Sequence, residues 1–202
     1  MEISCSITSV NIRDPSAPGT IRPMDSPVNP GLLALILEDY SLDPLGYHGV
    51  CHWARVLENG LRLAPLTGAD PHVVALFAVF HDSRRMNEHR DDGHGTRGGA
   101  LAQRFADDGL IDISSDQLKC LVQACELHTG GRPPADITQL TCWDSDRLDL
   151  PRVGVRINPK YLCTDAARDS DTIRLCHQRS VSQYQPEWFP EWMRVIDRLH
   201  DE

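Results

Sequence analysis

Six side chains in this sequence are of types that bind transition metals and stand where a structural helix has little use for them: His52, His81, Asp82, His94, His128 and Asp146. Each falls at the expected end of a helix or on an otherwise apolar face. Imidazole mixed with carboxylate suits a divalent transition ion, whereas Mg²⁺ or Ca²⁺ would be held by oxygen alone. The stretch Ala78-Val79-Phe80-His81-Asp82-Ser83 ends an apolar run on two of these groups at once. Neighbouring residues on a helix point about 100° apart, so His81 and Asp82 share a site only if the helix end faces that site obliquely. An apolar helix aimed end-on at a metal meets the condition.

Bland readings compete at each position. A lone histidine on an amphipathic helix is commonly a hydrogen-bonded boundary residue. Asp82 or Ser83 is equally suited to capping a following helix. Asp144, Asp146 and Asp149 alternate with Arg147 and Arg152 and fit a solvated salt-bridge face. Spacing alone therefore leaves the metal site open.

The elements that must position these groups read as helices throughout. Residues 1–30 mix Ser, Thr, Pro and Asp without a period, and Pro15, Pro18, Pro23, Pro27 and Pro30 interrupt them, so they are expected to be a mostly disordered leader. A single helical domain is expected over 31–202. Leu32, Leu33, Ile36 and Leu37 mark its first helix. A second is expected from about Tyr47 to Ala64, placing His48 and His52 four residues apart on one face with Arg55 close by. A third opens at Asp70-Pro71, a capping residue followed by proline, and carries Val73 to Phe80. Further helices are expected over Thr96–Asp107, from Ser114 or Ser115 to His128, and from Asp136 to Leu150 with Pro151 as the stop. Two more follow, over Thr164–Arg179 and Pro190–His200. No strand ladder or internal repeat is visible, and the fold class is all-α.

The order His52-Trp53-Ala54-Arg55-Val56, then Phe80-His81-Asp82, then His128, then Asp146-Arg147-Leu148-Asp149 resembles the HD-domain superfamily of metal-dependent phosphohydrolases. It is also similar to a bacterial HD group with a His-Gly, His-Trp-x-Arg-Val start and a Trp-Asp-x-Asp-Arg-Leu-Asp-Leu end, here His48-Gly49, His52 to Val56 and Trp143 to Leu150. No substrate comes with that closer likeness. The resemblance covers about 31–150, its motifs lying within 47–150, and leaves the helices of 164–202 without one. It implies a helical bundle in which His52, His81, Asp82 and Asp146 bind one divalent ion: Mn, Co, Ni, Zn or Fe.

Some members hold two metals, and His94 and His128 are then the matching candidates for the second. His94 sits in "DDGHGTRGG", which reads as a glycine-rich loop, and one metal per chain is the expectation. His48 and Glu88 are candidates for contact with ligands or substrate. Many members continue the doublet with an apolar residue, glycine and lysine. Here Ser83-Arg84-Arg85 follows, so Arg84 or Arg85 is the first choice to neutralise a phosphoryl group and Arg55 the second, with Asp82 or a nearby carboxylate acting on the water. The alternative has one of the two arginines pairing with Glu88 on the surface.

The resulting expectation is a phosphohydrolase acting on a nucleotide or another small phosphate ester. An HD-type di-iron oxygenase, which needs His94 and His128, and a non-catalytic nucleotide-binding module are the rivals. In the last case Trp188, Phe189, Trp192 and Met193 would form a docking patch rather than a packed terminal helix. Residues 153–162 form an irregular stretch that would suit a lid.

Composition narrows the partners. A net charge of −9 opposes stable binding to nucleic acid or anionic lipid and favours a small ligand. The cation set is 18 arginines and 2 lysines, which suits bidentate phosphate capture but equally reflects codon bias. Seven scattered cysteines without a Cys-x-x-Cys pair imply reduced thiols and a cytoplasmic setting. No apolar run reaches the length of a membrane span, and the order of a signal peptide is absent. The oligomeric state is not legible.

Overall fold

A computed structural model describes residues 28–200. Among the described residues nine α-helices follow one another: α1 (Pro30–Leu37), α2 (Val50–Thr67), α3 (Pro71–Phe80), α4 (His94–Asp107), α5 (Ser115–Leu127), α6 (Ile137–Arg147), α7 (Asp165–Arg168), α8 (Ser170–Val181) and α9 (Phe189–His200). No strand occurs among the described residues.

The bundle is organised around α3, whose residues Val73 to Phe80 are all buried. A helix that is apolar on every side must be enclosed on every side. Helices α1, α2, α4, α5 and α6 all pack against it. Burying one side chain such as Phe77 contributes about 1.5–3 kcal/mol. The Asp70 carboxylate caps α3 by accepting from the His72 and Val73 amides, and Pro71 takes the first position, where it has no hydrogen bond to lose. The helix thus starts at a fixed place and delivers its C-terminal end, His81, to the middle of the molecule.

Several boundaries differ from the sequence expectation. Most of the expected leader, residues 1–27, lies outside the described residues. Order begins before residue 31, however: Val28 is buried, Asn29 caps α1, and Pro30 opens the helix rather than breaking it. Helix α2 starts at Val50, since Gly49 is drawn so close to Pro44 that a Cβ there would lie 2.1 Å from the Pro44 carbonyl oxygen. His48 is therefore in the turn before the helix and does not share a helix face with His52. At the other end Pro65 is accommodated and the stop is Gly68, at φ 79°. Helix α6 ends at Arg147, and Leu150–Val153 is a 3₁₀ turn that contains Pro151. The expected single helix over 164–179 is broken at Asp169, whose backbone is extended while its carboxylate caps α8.

Helix α9 packs on α1, with Phe189, Trp192, Val195 and Ile196 buried. Its aromatic residues are core, not a docking patch. Leu63, Leu148, Ile157, Leu162, Ala167 and Cys176 form a second apolar cluster. It anchors the stretch 153–162 at Ile157 and Leu162. Cys51, Cys125, Cys142 and Cys176 are buried thiols. No helix among the described residues is long and apolar enough to cross a membrane.

Candidate metal centre

Four elements converge at the end of α3. His52 comes from the first turn of α2, His81 and Asp82 from the end of α3, Asp146 from the last turn of α6, and Asp149 from the turn that follows it. His52 Nε2 lies 3.2 Å from His81 Nε2, 3.7 Å from Asp82 Oδ2 and 3.4 Å from Asp146 Oδ1. His81 Nε2 is 3.7 Å from Asp82 Oδ2 and 3.9 Å from Asp146 Oδ1. Ligands bound at about 2.0–2.2 Å lie roughly 3–3.5 Å from one another, close to the separations found.

A backbone carbonyl only accepts, so His81, which contacts Phe77 and Ala78 carbonyls through Nδ1 at 3.1 and 3.2 Å, carries its proton there. His52 likewise gives its Nδ1 proton to Asp149 Oδ2 at 2.8 Å. Both Nε2 atoms are left as bare lone pairs facing each other beside two carboxylates. Burial holds the His81 imidazole down to about 3, against the pull of Asp82 and Asp146, so it stays neutral. Burial pushes the Asp82 carboxyl up, but His81, His128 and His52 outweigh it and hold it well below its ordinary value. Asp146 is lowered in the same sense, burial being overcome by His52 and His81. Two lone pairs, each within 4 Å of the other and of both carboxylates, form a donor set that suits a divalent ion. Asp146, with its side chain 15% exposed, opens the cluster to solvent.

A second group lies on the other side of Asp82. Its Oδ1 is 3.2 Å from His94 Nε2 and 3.7 Å from His128 Nε2, and the two imidazole nitrogens are 2.9 Å apart. His128 donates from Nδ1 to Cys125 O at 2.7 Å, and His94 from Nδ1 to Asp91 O. The Asp82 carboxylate thus faces two imidazole pairs, one through each oxygen. His94 opens α4 and is buried, not solvated in a loop. The glycines around it are close contacts: a Cβ on Gly95 would lie 2.2 Å from Cys125 O, and one on Gly98 would lie 2.2 Å from Phe80 O.

The arginines separate. Arg85 stays at the cluster, with Nη1 3.3 Å from Asp82 Oδ1 and 3.1 Å from His94 Nε2. Arg84 turns away and gives its Nη1 to the Ile36 and Ser83 carbonyls at 2.9 and 2.8 Å, so it does not serve the site. Arg55 directs its Nε to Asp149 Oδ1 at 2.8 Å. Neither Arg84 nor Arg85 pairs with Glu88. That carboxylate binds His48 Nδ1, and the His48 ring stands edge-on to His52 with centroids 6.4 Å apart. Burial lowers the His48 imidazole, with Arg85 and Arg152 adding to the effect against Asp82 and Glu88.

Asp149, which the sequence pattern assigns to a solvated salt-bridge face, lies instead inside the cluster. It is buried, holds both His52 and Arg55, and burial is outweighed by those two partners to bring its carboxyl down to about 2. Its position three residues after Asp146 was the available signal. Asp144 is likewise buried and accepts from the Cys163 and Thr164 amides at 2.7 and 2.8 Å, tying the chain after the second apolar cluster to α6.

The all-helical fold is shared with a solved structure, and the buried His/Asp cluster is of a kind that could hold a metal ion. The chain is similar to a protein whose crystal structure at 1.45 Å resolution is described as a predicted HD superfamily hydrolase from an uncultured Thermotogales bacterium. The TM-score is 0.56 at 22% identity, covering 75% of this chain and 87% of that one. No protein-family description and no curated protein sequence matches the chain.

Proposed function

We propose that this chain is a metal-dependent hydrolase of a small phosphate ester, a nucleotide or a phosphorylated metabolite. The observation that carries the reading is the His52–His81–Asp82–Asp146 set, in which two imidazole nitrogens and two carboxylates converge beside the solvent-facing edge of Asp146. A divalent ion held there supplies Lewis acidity and a water that loses its proton near neutral pH.

The chain's own groups account for the rest. Asp82 is a poor base, since its carboxyl is held well below its ordinary value and both oxygens face imidazoles. His48 is the better one. Its Nδ1 proton is held by Glu88, which leaves Nε2 free to take a proton from the attacking water, and its lowered affinity for protons keeps it neutral at the start. Arg85 offers positive charge beside Asp82 for the developing negative charge of the phosphoryl group. The net charge of −9 favours a small ligand over a polynucleotide.

The test is phosphate release from a panel of nucleotides and sugar phosphates with Mn²⁺, Co²⁺, Ni²⁺, Zn²⁺ or Fe²⁺, run beside folded Asp82→Ala and His81→Ala variants. Metal-dependent turnover lost in both variants is the expected result. Turnover unchanged in Asp82→Ala, or none with any ion, overturns the reading.

A further inference from the structure

The two imidazole pairs that share Asp82 differ in one respect. The His52–His81 pair has only lone pairs and carboxylate oxygens facing inward. The His94–His128 pair has Arg85. Its Nη1 stands 3.1 Å from His94 Nε2 and 3.3 Å from Asp82 Oδ1, so its two hydrogens are directed at the two atoms that a metal on this side would bind.

We infer that Arg85 is the second cation of this centre: its guanidinium fills the position between Asp82 Oδ1 and His94 Nε2 that a second metal would occupy, and the chain binds one metal ion.

The guanidinium is held there from behind. Its Nη2 donates to His89 O at 2.6 Å and its Nε to Asn87 O at 3.4 Å, so the 87–89 turn fixes the fork. That turn is braced in its own right, since Asp91 accepts from the Met86 amide at 2.8 Å and from Arg97. Arg85 is buried, and a permanently charged planar group is the side chain suited to a fixed position between two acceptors. The consequence is chemical as well as numerical. Asp82, already holding the guanidinium through Oδ1, would help hold a metal on its other side, so that charge would stand on both sides without redox capacity on the second. This disfavours the di-iron oxygenase, which requires both positions to hold iron.

The inference rests on the metal-site reading above, and the two fail differently. Protein stripped of metal is titrated with Mn²⁺, and bound metal is counted by elemental analysis and calorimetry, with electron paramagnetic resonance to detect coupled pairs. Wild type is expected to bind one ion per chain with the spectrum of isolated Mn²⁺. Arg85→Met, which keeps the aliphatic stem, and Arg85→Ala are expected to bind two, with a coupled-pair spectrum. Adding His94→Ala to either returns the count to one.

Two ions in wild type overturn the inference and leave the metal site standing, as does one ion in an Arg85→Met protein whose circular dichroism is native. No bound ion in wild type overturns both. Should neither Arg85 variant fold, the wild-type count and spectrum decide.

Discussion

His52 donates from Nδ1 to Asp149 Oδ2 at 2.8 Å, while Arg55, one turn further along α2, donates from Nε to the other oxygen at the same distance. One buried carboxylate thereby fixes which nitrogen of His52 is bare and where it points. Replacing Asp149 by Asn removes the charge that both partners use. Metal affinity is expected to fall about 10–100-fold, the usual cost of losing the carboxylate behind a ligating histidine. Calorimetric titration of folded Asp149→Asn protein measures it. Affinity within twofold of wild type would show that Asp149 serves only Arg55.

Asp70 ties pH to the placement of α3. Burial raises its carboxyl, but the Gln117 amide and the His72 and Val73 backbone N–H groups together outweigh this and lower it below its ordinary 3.8. For a carboxyl depressed in the folded state, the stabilisation is present above the unfolded value and is lost as pH falls through the folded one. Asp70→Ala is therefore expected to cost about 1 kcal/mol at pH 7, as loss of an N-cap generally does. The difference from wild type should shrink below pH 3.8. Asp70→Asn should keep most of the cap without the pH dependence. Urea unfolding of the three proteins across pH 3–7 is the measurement.

What was legible in the sequence is what local pattern controls. Asp70-Pro71 marks the start of α3, the unbroken apolar run marks its enclosure, and the helical period gives an all-α bundle. The resemblance picked out four residues that the structure draws to one point. Less legible were features that depend on long-range closure. Arg84 and Arg85 are adjacent and identical in type, and only the direction of the chain leaving α3 decides which one faces Asp82. His48 and Glu88 are separated by 40 positions and meet because the 86–91 turn folds back. The glycines around His94 resembled a loop signal, yet Gly95 and Gly98 are small because α4 passes close to the Cys125 and Phe80 carbonyls.

That close passage makes Gly98 a steric test of how α4 is seated. A Cβ there would lie 2.2 Å from Phe80 O and 3.1 Å from His81 O, both backbone atoms just before the doublet aspartate. Gly98→Ala must push α4 away from α3, at a cost of about 1–3 kcal/mol typical of overpacking. Gly130, with open space around it and no positive φ, provides the contrast, and Gly130→Ala is expected to be neutral within about 0.5 kcal/mol. Thermal unfolding of both variants checks the pair. A Gly98→Ala protein as stable as wild type would mean that α4 is not seated against the end of α3.

The His48–Glu88 pair is the sharpest test of the proposed chemistry, because it stands beside the donor cluster without supplying a donor to it. If His48 takes the proton from water, His48→Ala should lower kcat by about 10²–10⁴-fold, the usual range for a general base. Metal content should be unchanged. Glu88→Gln should have a smaller effect, since the imidazole remains but loses the charge that supports its protonated form. The acidic limb of the pH–rate profile should then shift to lower pH. Without the carboxylate, His48 gains a proton less readily, so its affinity for protons falls and the limb moves with it. The direction of the shift separates the roles. A limb that moves down shows Glu88 acting electrostatically on the base, and one that moves up shows that the limb belongs to a different group and removes His48 from the mechanism.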